Sequence, residues 1–144
     1  MKPTSLTLGG YRRACRHLTE ADPVLAAVIE QIGPCRLASR QRKDHLTALV
    51  GAIVSQQLST KAAATIFDRL LALFPDQTIG GHRAISTVDD LQLRAVGLSR
   101  QKIGYLRDLC ARIDDGRLRL EELDALSDED VIDRLVAVKG FGRW

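Results

Sequence analysis

Apolar residues recur at three- and four-residue spacing along most of this chain, the period of helices that each bury one stripe. Asp22 before Pro23 reads as an N-cap with proline in the first turn. The apolar run from Val24 to Ile29 continues to a Gly33-Pro34 stop, which predicts a helix over 23–32. The stretch from Asp44 to Val54 is apolar nearly all round and is expected at the centre of a core. Ser55-Gln56-Gln57-Leu58-Ser59 interrupts it, and Ser59 or Thr60 then caps a long amphipathic helix carrying Ile66, Leu70 and Leu73 toward Pro75. Two long helices are thus expected to meet at a short polar corner. Asp76 to Ser86, with Gly80-Gly81, reads as a loop with a short helical turn, and Thr87-x-x-Asp90 starts a short helix ended by Gly97. Ser99 caps a helix with Ile103, Leu106, Leu109 and Ile113 on one side, stopped at Gly116. Leu118 to Leu126 is a short helix or turn, and Ser127-x-x-Asp130 opens a last helix with Val131, Leu135 and Val138 inward. No strand pattern, repeat or low-complexity segment is visible, so the expected fold class is all-α with short connections.

A chain of 144 residues suits a single domain over 1–144, burying roughly 68–70% of its unfolded surface. The formal net charge is only +3, but it is unevenly spread. Residues 1–107 hold 15 Lys+Arg against 8 Asp+Glu, residues 108–137 hold 4 against 10, and Lys139 and Arg143 follow. Such a chain can offer a local basic face to phosphates without being a general polycation, and solvated helix faces account for much of the pattern. Cys15, Cys35 and Cys110 lie far apart and form no ligand-spaced set with His17, His45 and His82, so no zinc or iron–sulfur site can be drawn. Scattered thiols and no signal-like N-terminus point to a reducing, intracellular setting. No apolar run approaches a membrane span, and no membrane partner is expected.

The last ten residues, Leu135 to Trp144, read as a helix, a Gly-x-Gly hairpin and the first residues of a second helix. Gly140 suits a left-handed helix end, Gly142 permits close approach of another backbone, and Phe141 would plug the hairpin into the core. Exposed amides at such a corner can point together at one anion, with Lys139 and Arg143 adding charge beside them. A phosphate of a nucleic-acid backbone is the fitting ligand. An ordinary helix C-cap would explain Gly140 alone.

Leu135 to Trp144 resembles the hairpin of the helix-hairpin-helix superfamily of base-excision DNA glycosylases. Ala52-Ile53-Val54-Ser55-Gln56-Gln57-Leu58-Ser59-Thr60-Lys61-Ala62-Ala63 is similar to the early helix-corner-helix signature of its alkylated-base branch, the 3-methyladenine DNA glycosylases. His17-Leu18 with Asp22-Pro23-Val24-Leu25 matches that branch in order, as does Gly97-Leu98-Ser99-Arg100-Gln101-Lys102 followed by Tyr105-Leu106. The resemblance implies a helical bundle incomplete at its C-terminus. Helices of about 10–33 would belong to a lobe that a later segment completes, and 44–144 would form a core ending in a partial helix-hairpin-helix.

The resemblance further implies hydrolytic excision of alkylated purines, 3-methyladenine and 7-methylguanine, from double-stranded DNA in base-excision repair. A base must leave the stack before it is cut, and something must fill the gap. By position Gln57 is that wedge, with Gln56 and Leu58 flanking it. Lys139, Gly140, Phe141, Gly142 and Arg143 would grip one strand, and Ser99 and Lys102 the other, through a helix N-terminus and a cation. Where the bifunctional branch has an attacking lysine this chain has Trp144. That substitution favours a monofunctional hydrolase in which the indole stacks in the base pocket, unless it simply packs on the core. Carbonyls of Val136, Val138 and Phe141 would hold a monovalent cation; no other cofactor is implied. The family's catalytic aspartate is expected beyond residue 144, so no catalytic residue is assigned within the chain, which would be inactive alone. The protein is expected to be a cytoplasmic, nucleoid-associated bacterial monomer, with self-association open through an uncovered face. The competing readings are a non-catalytic DNA-binding module and a helical protein-interaction domain.

Overall fold

A computed structural model describes residues 8–35 and 44–143. Those residues are helical with no strand: α1 (Leu8–Ala21), α2 (Pro23–Ile32), α3 (His45–Ser55), α4 (Thr60–Leu71), α5 (His82–Thr87), α6 (Asp90–Ala95), α7 (Arg100–Asp114) and α8 (Asp128–Val136). Two 3₁₀ turns, Pro75–Gln77 and Leu120–Ala125, complete the order. The chain divides into two compact units, Met1–Lys43 and Asp44–Trp144. The basic connector 36–43 and the expected base-pocket residue Trp144 lie outside the described residues.

In the first unit α1 and α2 pack against each other. The Asp22 carboxylate accepts the amides of Val24 (2.7 Å) and Leu25 (3.2 Å), Pro23 holds the first turn, and Gly33 ends α2 at φ 84°. The pattern over 23–32 is therefore met in full. Helix α1 begins earlier than the first clearly periodic stretch, because its apolar positions are interleaved with arginines and a Gly-Gly pair.

The second unit is built round α3, as its nearly unbroken apolar sequence requires. Leu46, Leu49, Val50, Ile53 and Val54 are buried, and α4 and α7 pack against this helix. Asp44 caps it, accepting from Leu46 N at 3.0 Å and Thr47 N at 3.3 Å. Helix α7 contributes Ile103, Leu106, Leu109 and Cys110 to the same cluster, and Val138, just past α8, is fully buried in it.

Two local expectations are corrected between residues 82 and 90. His82–Thr87 is a helix, and Thr87 is its last residue, with Oγ1 donating back to Ala84 O at 2.8 Å. The cap of α6 is Asp89: its carboxylate takes Gln92 N at 2.7 Å while its own amide donates to Gln92 Oε1 at 3.3 Å. Arg107 of α7 donates to the carbonyls of Ile85 and Val88 and to the Asp90 carboxylate, satisfying groups that so short a pair of helices leaves open.

Candidate nucleic-acid interface

The polar corner between α3 and α4 is a tight turn. Leu58 N donates to Ser55 O at 3.2 Å, Gln56 sits at φ −52° and ψ 129°, and Gln57 follows at φ 55°. These are the features of a type II turn, whose third position favours glycine because φ is positive there. Gln57 occupies it at a cost of about 1–2 kcal/mol. Its side chain is exposed, as is Leu58 at 38%. A strained backbone carrying a long exposed polar side chain is a pointer to use.

Two lashings hold this corner. The Val54 carbonyl lies in the last turn of α3, where the helix runs out of amides, and its donor comes from α7: Lys102 Nζ donates to Val54 O at 2.7 Å and to Gln56 O at 2.9 Å. Burial lowers the Lys102 pKa. The Gln56 side chain reaches the other way, Nε2 donating to Gly140 O at 2.8 Å. Lys102 and Gln56, both expected on the DNA, therefore turn their polar ends toward protein carbonyls. Ser99 is exposed and caps α7, its Oγ accepting from Lys102 N at 3.2 Å.

After α8 the chain passes through buried Val138 into the hairpin, where Phe141 N donates to Val138 O at 3.2 Å and the Phe141 ring is partly buried against the core. Gly140 has φ 91°, and a Cβ built there would lie 2.3 Å from the Tyr105 ring, so α7 leaves no room for a side chain. The Lys139 amide faces inward, donating to Asp108 Oδ2 at 2.9 Å, and the same oxygen accepts Arg112 Nε at 2.8 Å. Burial works to raise the Asp108 pKa, but the Lys139 amide and the Arg112 guanidinium together hold it below its ordinary value. Among the described residues the amides of Gly140, Gly142 and Arg143 have no hydrogen-bond partner. The anion-facing amide set is thus smaller than the sequence suggests. The carboxylate of Asp108 takes one member and a carbonyl another.

The two hairpin cations differ. Lys139 is exposed and forms no ion pair among the described residues. Arg143 pairs with Glu129 and, at 3.6 Å, with Asp133, both on α8. Beside the hairpin lies a depression of about 380 Å³, lined by Ile132, Leu135, Val136 and Phe141 with Glu129 and Arg143 at its edge. The Val138 carbonyl accepts the Phe141 amide, while those of Val136 and Phe141 accept no backbone bond among the described residues.

Lys102, Tyr105 and Asp108 recur every three residues on α7 and hold, respectively, the corner, Gly140 and Lys139. Tyr105 and Asp108 were not singled out as site residues. Their spacing opposite a Gly-x-Gly hairpin was the available signal.

Residues 50–140, from the middle of α3 through Gly140, match the family model described as HhH-GPD superfamily base excision DNA repair protein. The chain is 33% identical to DNA-3-methyladenine glycosylase 1 of Schizosaccharomyces pombe, over 98% of this chain and 60% of that one. It is 30% identical to the DNA-3-methyladenine glycosylase of Saccharomyces cerevisiae, over 93% of this chain and 49% of that one. The structure superposes on a Schizosaccharomyces pombe 3-methyladenine DNA glycosylase in complex with abasic DNA with a TM-score of 0.81 at 32% identity, covering 92% of this chain and 65% of that one. A Bacillus halodurans DNA-3-methyladenine glycosidase gives 0.72 at 35% identity, covering 88% and 57%. The chain thus spans about half to two thirds of the length of these relatives. A helical core that ties a strained Ser-Gln-Gln-Leu-Ser corner to the first glycine of a Gly-x-Gly hairpin, matched from the middle of α3 to that glycine, places this chain in the HhH-GPD superfamily of base excision DNA repair proteins.

Proposed function

We propose that this protein binds double-stranded DNA containing alkylated purines and extrudes the damaged base, as part of a monofunctional DNA glycosylase activity that hydrolyses the N-glycosidic bond. The observation that carries this reading is the exposed, left-handed Gln57 on a turn tied directly to the hairpin by Gln56 and Gly140. Gln57 would fill the gap left by the extruded nucleotide, and its amide would hydrogen-bond the orphaned partner base. The free amides of the hairpin and the exposed Lys139 would hold the strand's phosphate. The carbonyls of Val136 and Phe141, which accept no backbone bond among the described residues, with that of Val138, would hold a monovalent cation that supplies positive charge between hairpin and phosphate. The names of the relatives support alkylated purines as the substrate class.

Hydrolysis breaks the bond between the sugar and the purine, the electron pair leaving with the cationic base, while water adds its oxygen to the sugar carbon and gives up a proton. A carboxylate beside the sugar would stabilise the positive charge formed there. Among the described residues, the carboxylates bonded to the hairpin are otherwise engaged, Asp108 with the Lys139 amide and Glu129 and Asp133 with Arg143. That engagement favours a second reading, a module that grips and extrudes without cutting.

Incubation with alkylated duplex, assayed for released 3-methyladenine, separates the two readings. Both require the protein to prefer a duplex containing an abasic site over an undamaged one, and equal affinity for the two would overturn both. Gln57→Ala is expected to reduce that preference by about tenfold, a loss of about 1.4 kcal/mol, without changing the salt dependence of binding.

A further inference from the structure

We propose that Lys102 and Gln56 form an internal clamp that fixes the Gln57 turn in register with the Gly140 hairpin, so that wedge insertion and phosphate capture occur as one docking event. The inference rests on the wedge reading of Gln57 and assigns Lys102 as a positioning residue, in place of a DNA contact. The clamp is a chain of direct bonds. Lys102 Nζ meets the carbonyls of Val54 and Gln56 at 2.7 and 2.9 Å, and the side chain of that same Gln56 meets Gly140 O at 2.8 Å.

The chemistry suits the task. An ammonium at the C-terminal end of α3 lies where the helix dipole favours a cation, and bonds to a charged donor are stronger than neutral ones. The turn it secures is one that Gln57 strains, so the backbone would relax without an outside hold. Of the three ammonium protons two are committed to the clamp, which leaves the side chain poorly disposed toward a phosphate. Gln56 then carries the restraint across 84 residues of sequence to the hairpin, where Tyr105, one turn along α7 from Lys102, closes over Gly140.

Lys102→Met and Gln56→Leu in the full chain test this by amide hydrogen exchange and by titration of duplexes with and without an abasic site. Lys102→Met should speed exchange at Leu58, and also at Phe141, to which Lys102 makes no hydrogen bond among the described residues, by about tenfold. Gln56→Leu should do so at Phe141. Both should weaken abasic-duplex binding by about tenfold more than undamaged-duplex binding, leaving the slope of log K against log salt unchanged. Lys102→Arg, which keeps charged donors, should restore most of the loss. A slope smaller by about one in Lys102→Met would make the residue a phosphate contact and overturn the proposal. Unaltered exchange at Phe141 in both variants would overturn it as well. Where the parent protein fails to discriminate abasic duplex, the wedge reading falls, and exchange decides the clamp on its own. Should Lys102→Met fail to fold, Gln56→Leu decides the hairpin half alone.

Discussion

Gly140→Ala is expected to lower stability by about 3 kcal/mol or more and to abolish preferential binding of abasic duplex. Two costs act together. The residue has φ 91°, a region that a Cβ disfavours by about 1–2 kcal/mol. The added carbon would also sit 2.3–2.6 Å from three atoms of the Tyr105 ring, and forcing such an overlap in a packed region costs roughly 1–3 kcal/mol. Because the Gly140 carbonyl holds Gln56, the displaced hairpin would release the corner as well. Gly104→Ala on α7 is the control: nothing lies within 4 Å of its would-be Cβ, so helix propensity alone acts and should stabilise by up to about 1 kcal/mol. Urea unfolding of the two variants gives the comparison, and a Gly140→Ala variant as stable as the parent would refute the steric argument.

Asp108→Ala should cost about 2–3 kcal/mol at neutral pH. The carboxylate joins the Lys139 amide to Arg112, and both side chains of the ion pair are largely shielded, at 15% and 20% exposure. Its pKa lies below the ordinary 3.8 in the folded protein. The stabilisation is therefore complete above that ordinary value and disappears as pH falls from there through the folded value. Urea midpoints of the parent and of Asp108→Asn should thus differ at pH 7 and converge as pH falls below 3.8. Asp114 and Asp115 also have lowered pKa values, through hydrogen bonds from Arg83 and His82 and from Arg117 respectively. Part of the acid sensitivity should consequently survive in Asp108→Asn. A constant gap between the two proteins across that range would show that the hairpin does not depend on the charge.

The helices that bury a stripe were legible because caps and period agree locally: Asp22-Pro23, Ser59, Ser99 and Ser127 each cap a helix where the pattern changes. Helix α5 was not legible as a helix, since six residues give too few turns for a period and its C-terminal carbonyls are completed by Arg107 from elsewhere in the sequence. The same division runs through the site. The corner and the hairpin are local motifs, and both could be read. That Lys102 would close the end of α3 depended on which helix ends approach one another, which no spacing within α7 encodes. Arg143, read as a strand-facing cation, pairs with Glu129 and Asp133, which stand four residues apart and so share one face of α8.

Gln57 stands where a glycine would be most comfortable, and the two demands on that position pull apart. Gln57→Gly removes the left-handed penalty but adds freedom to the unfolded chain, so it should unfold at a urea concentration no lower than Gln57→Ala, with a gain of up to about 1 kcal/mol. It would lack any side chain to enter a duplex. If Gln57 is the proposed wedge, the position trades backbone ease for a side chain long enough to reach into a duplex.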